Sequence, residues 1–114
     1  MMQINRENAL RLWQECYGYA CIARDFHGNL MHRDAYGRPG VRVFDGERFV
    51  RAGWSIHHIL PLACGGTNER HNLICTNIDT NEMAGDKTTY WIDDCLYQVQ
   101  RIPGTREYQI VKLD

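Results

Sequence analysis

No apolar run in this 114-residue chain approaches the ~18 residues of a membrane span, which leaves no membrane-crossing helix to expect. The first residues, MMQINRENALRLW, lack the long apolar core of a secretory signal, so a cytoplasmic location is expected. There is no CxxC motif, and the five cysteines (Cys16, Cys21, Cys64, Cys75, Cys95) are odd in number. That argues against a complete disulfide framework and against a zinc ribbon, and it leaves free, mostly buried thiols as the expectation. No repeat, low-complexity tract or linker interrupts the chain, and its length suits one domain, residues 1–114, with a single modest core.

Charge of one sign is also missing, since the net charge is −1. Lysine is absent from residues 1–54, where eight arginines face six acids for a net of +2. Residues 55–114 carry five lysines or arginines and eight acids, a net of −3. Arginine suits bidentate phosphate contact, although such a small excess is also what solvated strand faces carry.

The elements read as follows. NRENALRLWQECYG is a helix capped by Asn5, with Ala9, Leu10, Trp13 and Tyr17 on one face and Gly18 at its end. ACIARDF and LMHRD flank HGN as a first hairpin, with His27 exposed in the turn. VRVF and ERFVRA flank Asp45-Gly46 as a second hairpin with a two-residue turn. WSIHHIL is a strand ended by Pro61, LACGGTNERHNL a loop, and LICT a short strand. NIDTNEMA is a short helix capped by Thr76 and stopped at Gly85. The tail carries some helical spacing in YWIDDCLYQVQ, but LYQVQRI and YQIVKL around PGT favour a β-hairpin.

One stretch carries the chemistry: GWSIHHILPLACGG sets His57 and His58 side by side. An adjacent pair can be buried filler, can bind a metal, or can divide a task between cation and proton. Successive strand residues point to opposite faces, so both serve one site only where the strand bends or ends. Pro61 makes an end plausible.

The order IHHILP, then GG, then Asn72-Leu73, then Asn81, then GDK, with MHRDAYG upstream, resembles the HNH nucleases of compact bacterial and phage type over about residues 24–87. The resemblance implies an α+β fold. Its ββα-metal core lies at about 54–87, with an N-terminal helix, preceding β-hairpins and a C-terminal β-hairpin or helix–strand extension. It implies a metal-dependent endonuclease that hydrolyses phosphodiester bonds, with DNA as partner and contacts mainly to phosphates. By position it makes His58 the general base and Asn72 the residue that braces the loop and holds that base. His57 and Asn81 become the ligands of one divalent cation. Histidine is the side chain whose proton affinity suits a base at neutral pH.

The chain departs from that family at several positions. Many members carry aspartate where His57 stands. Two neutral ligands favour Mn²⁺, Co²⁺ or Ni²⁺ over Mg²⁺, with Zn²⁺ a tight and inhibitory binder. Where some members have zinc-binding cysteines this chain has Asn77 and Thr80, so no structural zinc is expected. Asn77, one turn before Asn81, is a candidate third ligand, and Asp86 a candidate acceptor for a ligand. Arg33, Lys87 and His71 are candidate phosphate contacts. Two other functions fit the same residues. One is an HNH-fold binding module that acts on a protein partner, such as an inhibitor of a host defence nuclease. The other is a toxin domain. Oligomeric state is left open.

Overall fold

The computed structural model describes residues 1–114. In chain order the elements are α1 (Arg6–Tyr17), β1 (Ile22–Arg24), β2 (Leu30–His32), β3 (Arg42–Phe44), β4 (Phe49–Arg51), β5 (Trp54–His58), β6 (Leu73–Asn77), α2 (Ile78–Ala84), β7 (Thr89–Ile92), β8 (Cys95–Arg101) and β9 (Tyr108–Lys112). The class is α+β: two helices and four small antiparallel sheets, paired β1–β2, β3–β4, β5–β6 and β7–β8–β9. Neither helix is long and apolar enough to cross a membrane.

Helix α1 begins where Asn5 Oδ1 accepts the Asn8 N–H at 2.9 Å. It ends at Gly18, whose φ of +61° suits a residue without Cβ and whose N–H donates to Gln14 O. The buried face is Ala9, Leu12 and Trp13. Trp13 packs on Trp54 at 5.0 Å between ring centroids, and its Nε1–H donates to Ala20 O at 2.8 Å. Both rings are fully buried, with Met31, Ile56, Leu73 and Cys75 around them. Burying an aromatic side chain of this size contributes roughly 4–6 kcal/mol before chain entropy is subtracted. This core joins α1 to β2, β5 and β6. A second, smaller core of Ala84, Tyr90, Ile92 and Tyr97 joins the end of α2 to the C-terminal sheet.

The β5–β6 hairpin runs in register from Trp54↔Asn77 to His58↔Leu73, and α2 follows β6 with no intervening loop. Asn77, not Thr76, caps this helix: its Oδ1 accepts the Asp79 N–H at 2.8 Å. The cap falls at the last residue of β6 because Thr76 lies inside the ladder, paired with Ser55. The Asn77 Nδ2 group donates to Leu30 O (2.8 Å) and Arg51 O (2.9 Å), which ties the helix start to β2 and β4. Asp25, buried between these elements, accepts backbone N–H groups of His27, Asn29 and Asn77.

Four other expectations change. The second hairpin closes through four residues, because Phe44 pairs with Phe49 and Asp45 Oδ1 accepts the N–H groups of both Glu47 and Arg48. The tail holds three strands, not two. Asp93 turns β7 into β8 with φ of +52°, a conformation aspartate tolerates better than most residues. His27 is not exposed: its ring is wedged between Tyr97 Oη (2.7 Å) and Asp93 Oδ2 (2.8 Å), joining the first hairpin to the C-terminal sheet. Of the five thiols only Cys75 is buried, while Cys16, Cys21 and Cys64 are exposed.

Candidate functional site

The two adjacent histidines share one small cavity of about 120 Å³ with Asn81 and Asp86. The strand makes this sharing feasible. Ser55 and His57 face α2, while Trp54 and Ile56 face the main core, as alternation requires. His58 is the last residue of β5, and the chain bends at once at Ile59 and Leu60. The end of the strand frees His58 to turn into the same cavity as His57.

His57 is buried and hydrogen-bonded through Nδ1 to Asn81 Oδ1 at 2.8 Å. The orientation of that amide is fixed by Ser55, whose Oγ accepts from Asn81 Nδ2 at 2.9 Å. The amide oxygen therefore faces the ring, and Nδ1 carries the ring proton. Nε2 is left as a buried lone pair with no partner. Burial holds the His57 imidazole below the ordinary histidine range, against the hydrogen bond to Asn81 and helped by the neighbouring His58. The ring is neutral at neutral pH.

His58 is fixed by a residue that the sequence did not single out. Its Nε2–H donates to Asn68 Oδ1 at 2.6 Å, which leaves Nδ1 as the nitrogen with a free lone pair. Asn72 does not touch His58. It braces the loop instead: Oδ1 accepts the Leu60 N–H at 2.9 Å, and Nδ2 donates to Leu60 O at 3.0 Å and Thr67 O at 2.9 Å. Its carbonyl also accepts the Ile59 N–H at 2.8 Å. Asn72 thus holds both ends of the segment that carries Asn68, and its effect on His58 passes through that segment. The glycine pair serves two needs. Gly65 takes φ of +96° at the end of a 3-10 turn, and a Cβ on Gly66 would run into the carbonyl of Leu60.

All but one of the remaining candidates lie elsewhere. Asn77 is committed to the helix cap and to Leu30 and Arg51, and it does not line the histidine cavity. Arg33 Nε lies 3.4 Å from Asp34, and Arg33 lines a separate cleft beside α1. His71 stands 3.6 Å from Glu69 and lines a cleft with Arg106, apart from the histidine cavity. Lys87 is exposed past the end of α2 and does not line the histidine cavity. Asp86 does line it.

The donor set has the makings of a cation site. A cation between His57 Nδ1 and Asn81 Oδ1, 2.8 Å apart, would replace the proton they share, and the ring proton would move to Nε2. A neutral imidazole is the form that ligates. Two features weaken it. A ligating histidine usually donates its second N–H to an acceptor, and His57 Nε2 has none. No group of three or more His, Cys, Asp or Glu side chains is placed to hold a metal. Ser55 and Asn68, the two residues that fix these side chains, carry no spacing signal in the sequence. The signal that was there is the need of each ring for a partner. No family model, curated protein or solved structure matches the chain.

Proposed function

We propose that this chain is a metal-dependent DNA endonuclease of the HNH, ββα-metal kind, with β5, β6 and α2 as its finger. The reading is carried by one observation: His57, His58 and Asn81 line the same cavity, with His57 hydrogen-bonded to Asn81 and His58 to Asn68. Asn68 keeps the proton of His58 on Nε2, so Nδ1 takes the proton from the attacking water. The water oxygen bonds to phosphorus, the phosphorus–oxygen bond to the leaving group breaks, and that oxygen collects a proton from solvent. His57, with its ring proton moved from Nδ1 to Nε2, and Asn81 would hold the divalent cation, with Asp86 at the cavity rim. When bound, the cation neutralises the phosphate and stabilises the leaving oxygen. Asn72 is a positioning residue for His58.

The reading is tested by calorimetric titration of Mn²⁺ and Mg²⁺ into the protein. Mn²⁺ is expected to bind and His57→Ala to abolish that binding. His57→Asp, which restores an anionic oxygen, is expected to shift preference toward Mg²⁺. Mn²⁺ bound equally well by His57→Ala and Asn81→Ala would move the cation elsewhere. A second reading, a finger kept as a binding module for a protein partner, is favoured by the unpartnered Nε2 of His57. Under it the folded chain binds no cation in this cavity.

A further inference from the structure

We infer that the β3–β4 hairpin is a second DNA contact, a two-stranded ribbon that grips duplex phosphates with arginine and lays two phenylalanines against the groove. The inference rests on the reading of the chain as a protein that acts on DNA. The register pairs Arg42 with Arg51, Val43 with Val50, and Phe44 with Phe49. Cross-strand partners share a face, so Val43 and Val50 turn inward, half-buried, while Arg42, Arg51, Phe44 and Phe49 all turn outward. This inverts the usual arrangement, which buries the aromatic residue. Phe44 and Phe49 are 55% and 66% exposed and touch each other at 5.4 Å between centroids.

The charges beside them are unbalanced in a specific way. Arg24, Arg42, Arg48 and Arg51 line a cleft of about 520 Å³ with Asp45, Asp79 and Asp93. Every acid there is engaged: Asp45 by its own turn, Asp79 by Arg51 at 3.2 Å, and Asp93 by His27 at 2.8 Å. The guanidinium groups of Arg42 and Arg48 have no such partner in the cleft. Free guanidinium groups flanking an exposed aromatic pair match the two components of a nucleic acid, phosphate and the faces or edges of bases. A two-stranded ribbon fits the major groove, where apolar side chains meet thymine methyls. The hairpin is continuous with the finger, because Asn77 donates to Arg51 O and Arg51 pairs with Asp79, both at the start of the helix that carries Asn81.

The test is fluorescence anisotropy with a short labelled DNA duplex in EDTA, where no cleavage occurs, across a salt series. Arg42→Ala with Arg48→Ala is expected to weaken binding about tenfold and to lower the slope of log K against log salt by about 1.8, for two phosphates lost. Arg42→Lys with Arg48→Lys keeps the charge and is expected to keep the slope. Phe44→Ser with Phe49→Ser is expected to weaken binding roughly tenfold, through lost apolar contact in the groove, with the slope unchanged. Circular dichroism melts show that each variant is folded. A wild type that binds DNA, with both the alanine and serine pairs binding equally well, overturns the inference and leaves the endonuclease reading standing. A serine pair that alters sedimentation but not DNA binding also overturns it, and makes the phenylalanine face a contact between copies of this chain. A wild type that binds no duplex overturns it too, and Mn²⁺-dependent plasmid cleavage then decides the endonuclease reading separately.

Discussion

Replacing Asn72 by alanine deletes three hydrogen bonds at once, and the loop that holds His58 depends on them. The bonds run to Leu60 N at 2.9 Å, Leu60 O at 3.0 Å and Thr67 O at 2.9 Å, and the side chain is buried. Each contributes a net ~0.5–1.5 kcal/mol, so the loss is about 2–4 kcal/mol, the upper end applying where the Leu60 N–H is left unpaired out of water. Asn72→Asp is the sharper control. It keeps the acceptor for Leu60 N but turns a carboxylate oxygen toward two carbonyls. At pH 7 it is expected to be less stable than Asn72→Ala. Burial among carbonyls raises such a carboxyl in the folded state, so the deficit grows as pH rises above about 4 and shrinks in acid, where the protonated group donates once. Urea denaturation reads both variants as a shift in midpoint at constant slope. An Asn72→Ala protein within about 0.5 kcal/mol of wild type would refute the bracing role, as would an aspartate variant as stable as wild type.

Three further outcomes follow from the same contacts. Burial depresses the His57 imidazole, so the unfolded chain takes up a proton below about pH 6.5 that the folded ring resists; stability in EDTA falls as pH drops below that value, is level above it, and His57→Gln removes that part of the slope in urea midpoints. The Cys16 thiol is drawn down to about 6, first by the hydrogen bond from the Cys75 thiol and then by the Arg70 guanidinium, whose Nη2 lies 3.6 Å from Cys16 Sγ. At pH 7 iodoacetamide should modify Cys16 ahead of Cys21 and Cys64, which are also exposed, and Arg70→Gln should slow it; equal rates by mass spectrometry would count against the pairing. Tyr90 buries a hydroxyl with no partner, so Tyr90→Phe should leave the melting temperature unchanged or raise it by the equivalent of about 1 kcal/mol, and a marked loss would reveal a bond to Tyr90 Oη.

The local signals that read correctly are those with a mechanism inside a few residues. Asn5 and Gly18 bound α1, Gly85 stops α2, and the strands read at WSIHHIL and LICT fall on β5 and β6. What escaped depends on contacts across the chain. Thr76 and Asn77 are both good caps, and only the register with Ser55 decides between them. Strand β7 was hidden by helical spacing, because a four-residue recurrence of Trp91, Cys95 and Val99 looks the same until Asp93 bends the backbone. His27 looked exposed because its partners, Asp93 and Tyr97, lie 66 and 70 residues away. The site divides in the same way. The residues proposed to carry its chemistry, His57, His58 and Asn81, stand out by type and spacing. The residues that orient them, Ser55 and Asn68, are ordinary polar residues whose role exists only once β5, the loop and α2 meet.

The most direct test of the central claim is cleavage of supercoiled plasmid by the wild type, His58→Ala and Asn68→Ala, in EDTA and in Mn²⁺, Co²⁺, Ni²⁺, Mg²⁺ or Zn²⁺. Mn²⁺-, Co²⁺- or Ni²⁺-dependent nicking is expected, abolished by His58→Ala, reduced by Asn68→Ala and supported less well by Mg²⁺. Cleavage that survives His58→Ala, or a folded wild type that cuts no plasmid with any of these ions, would contradict it.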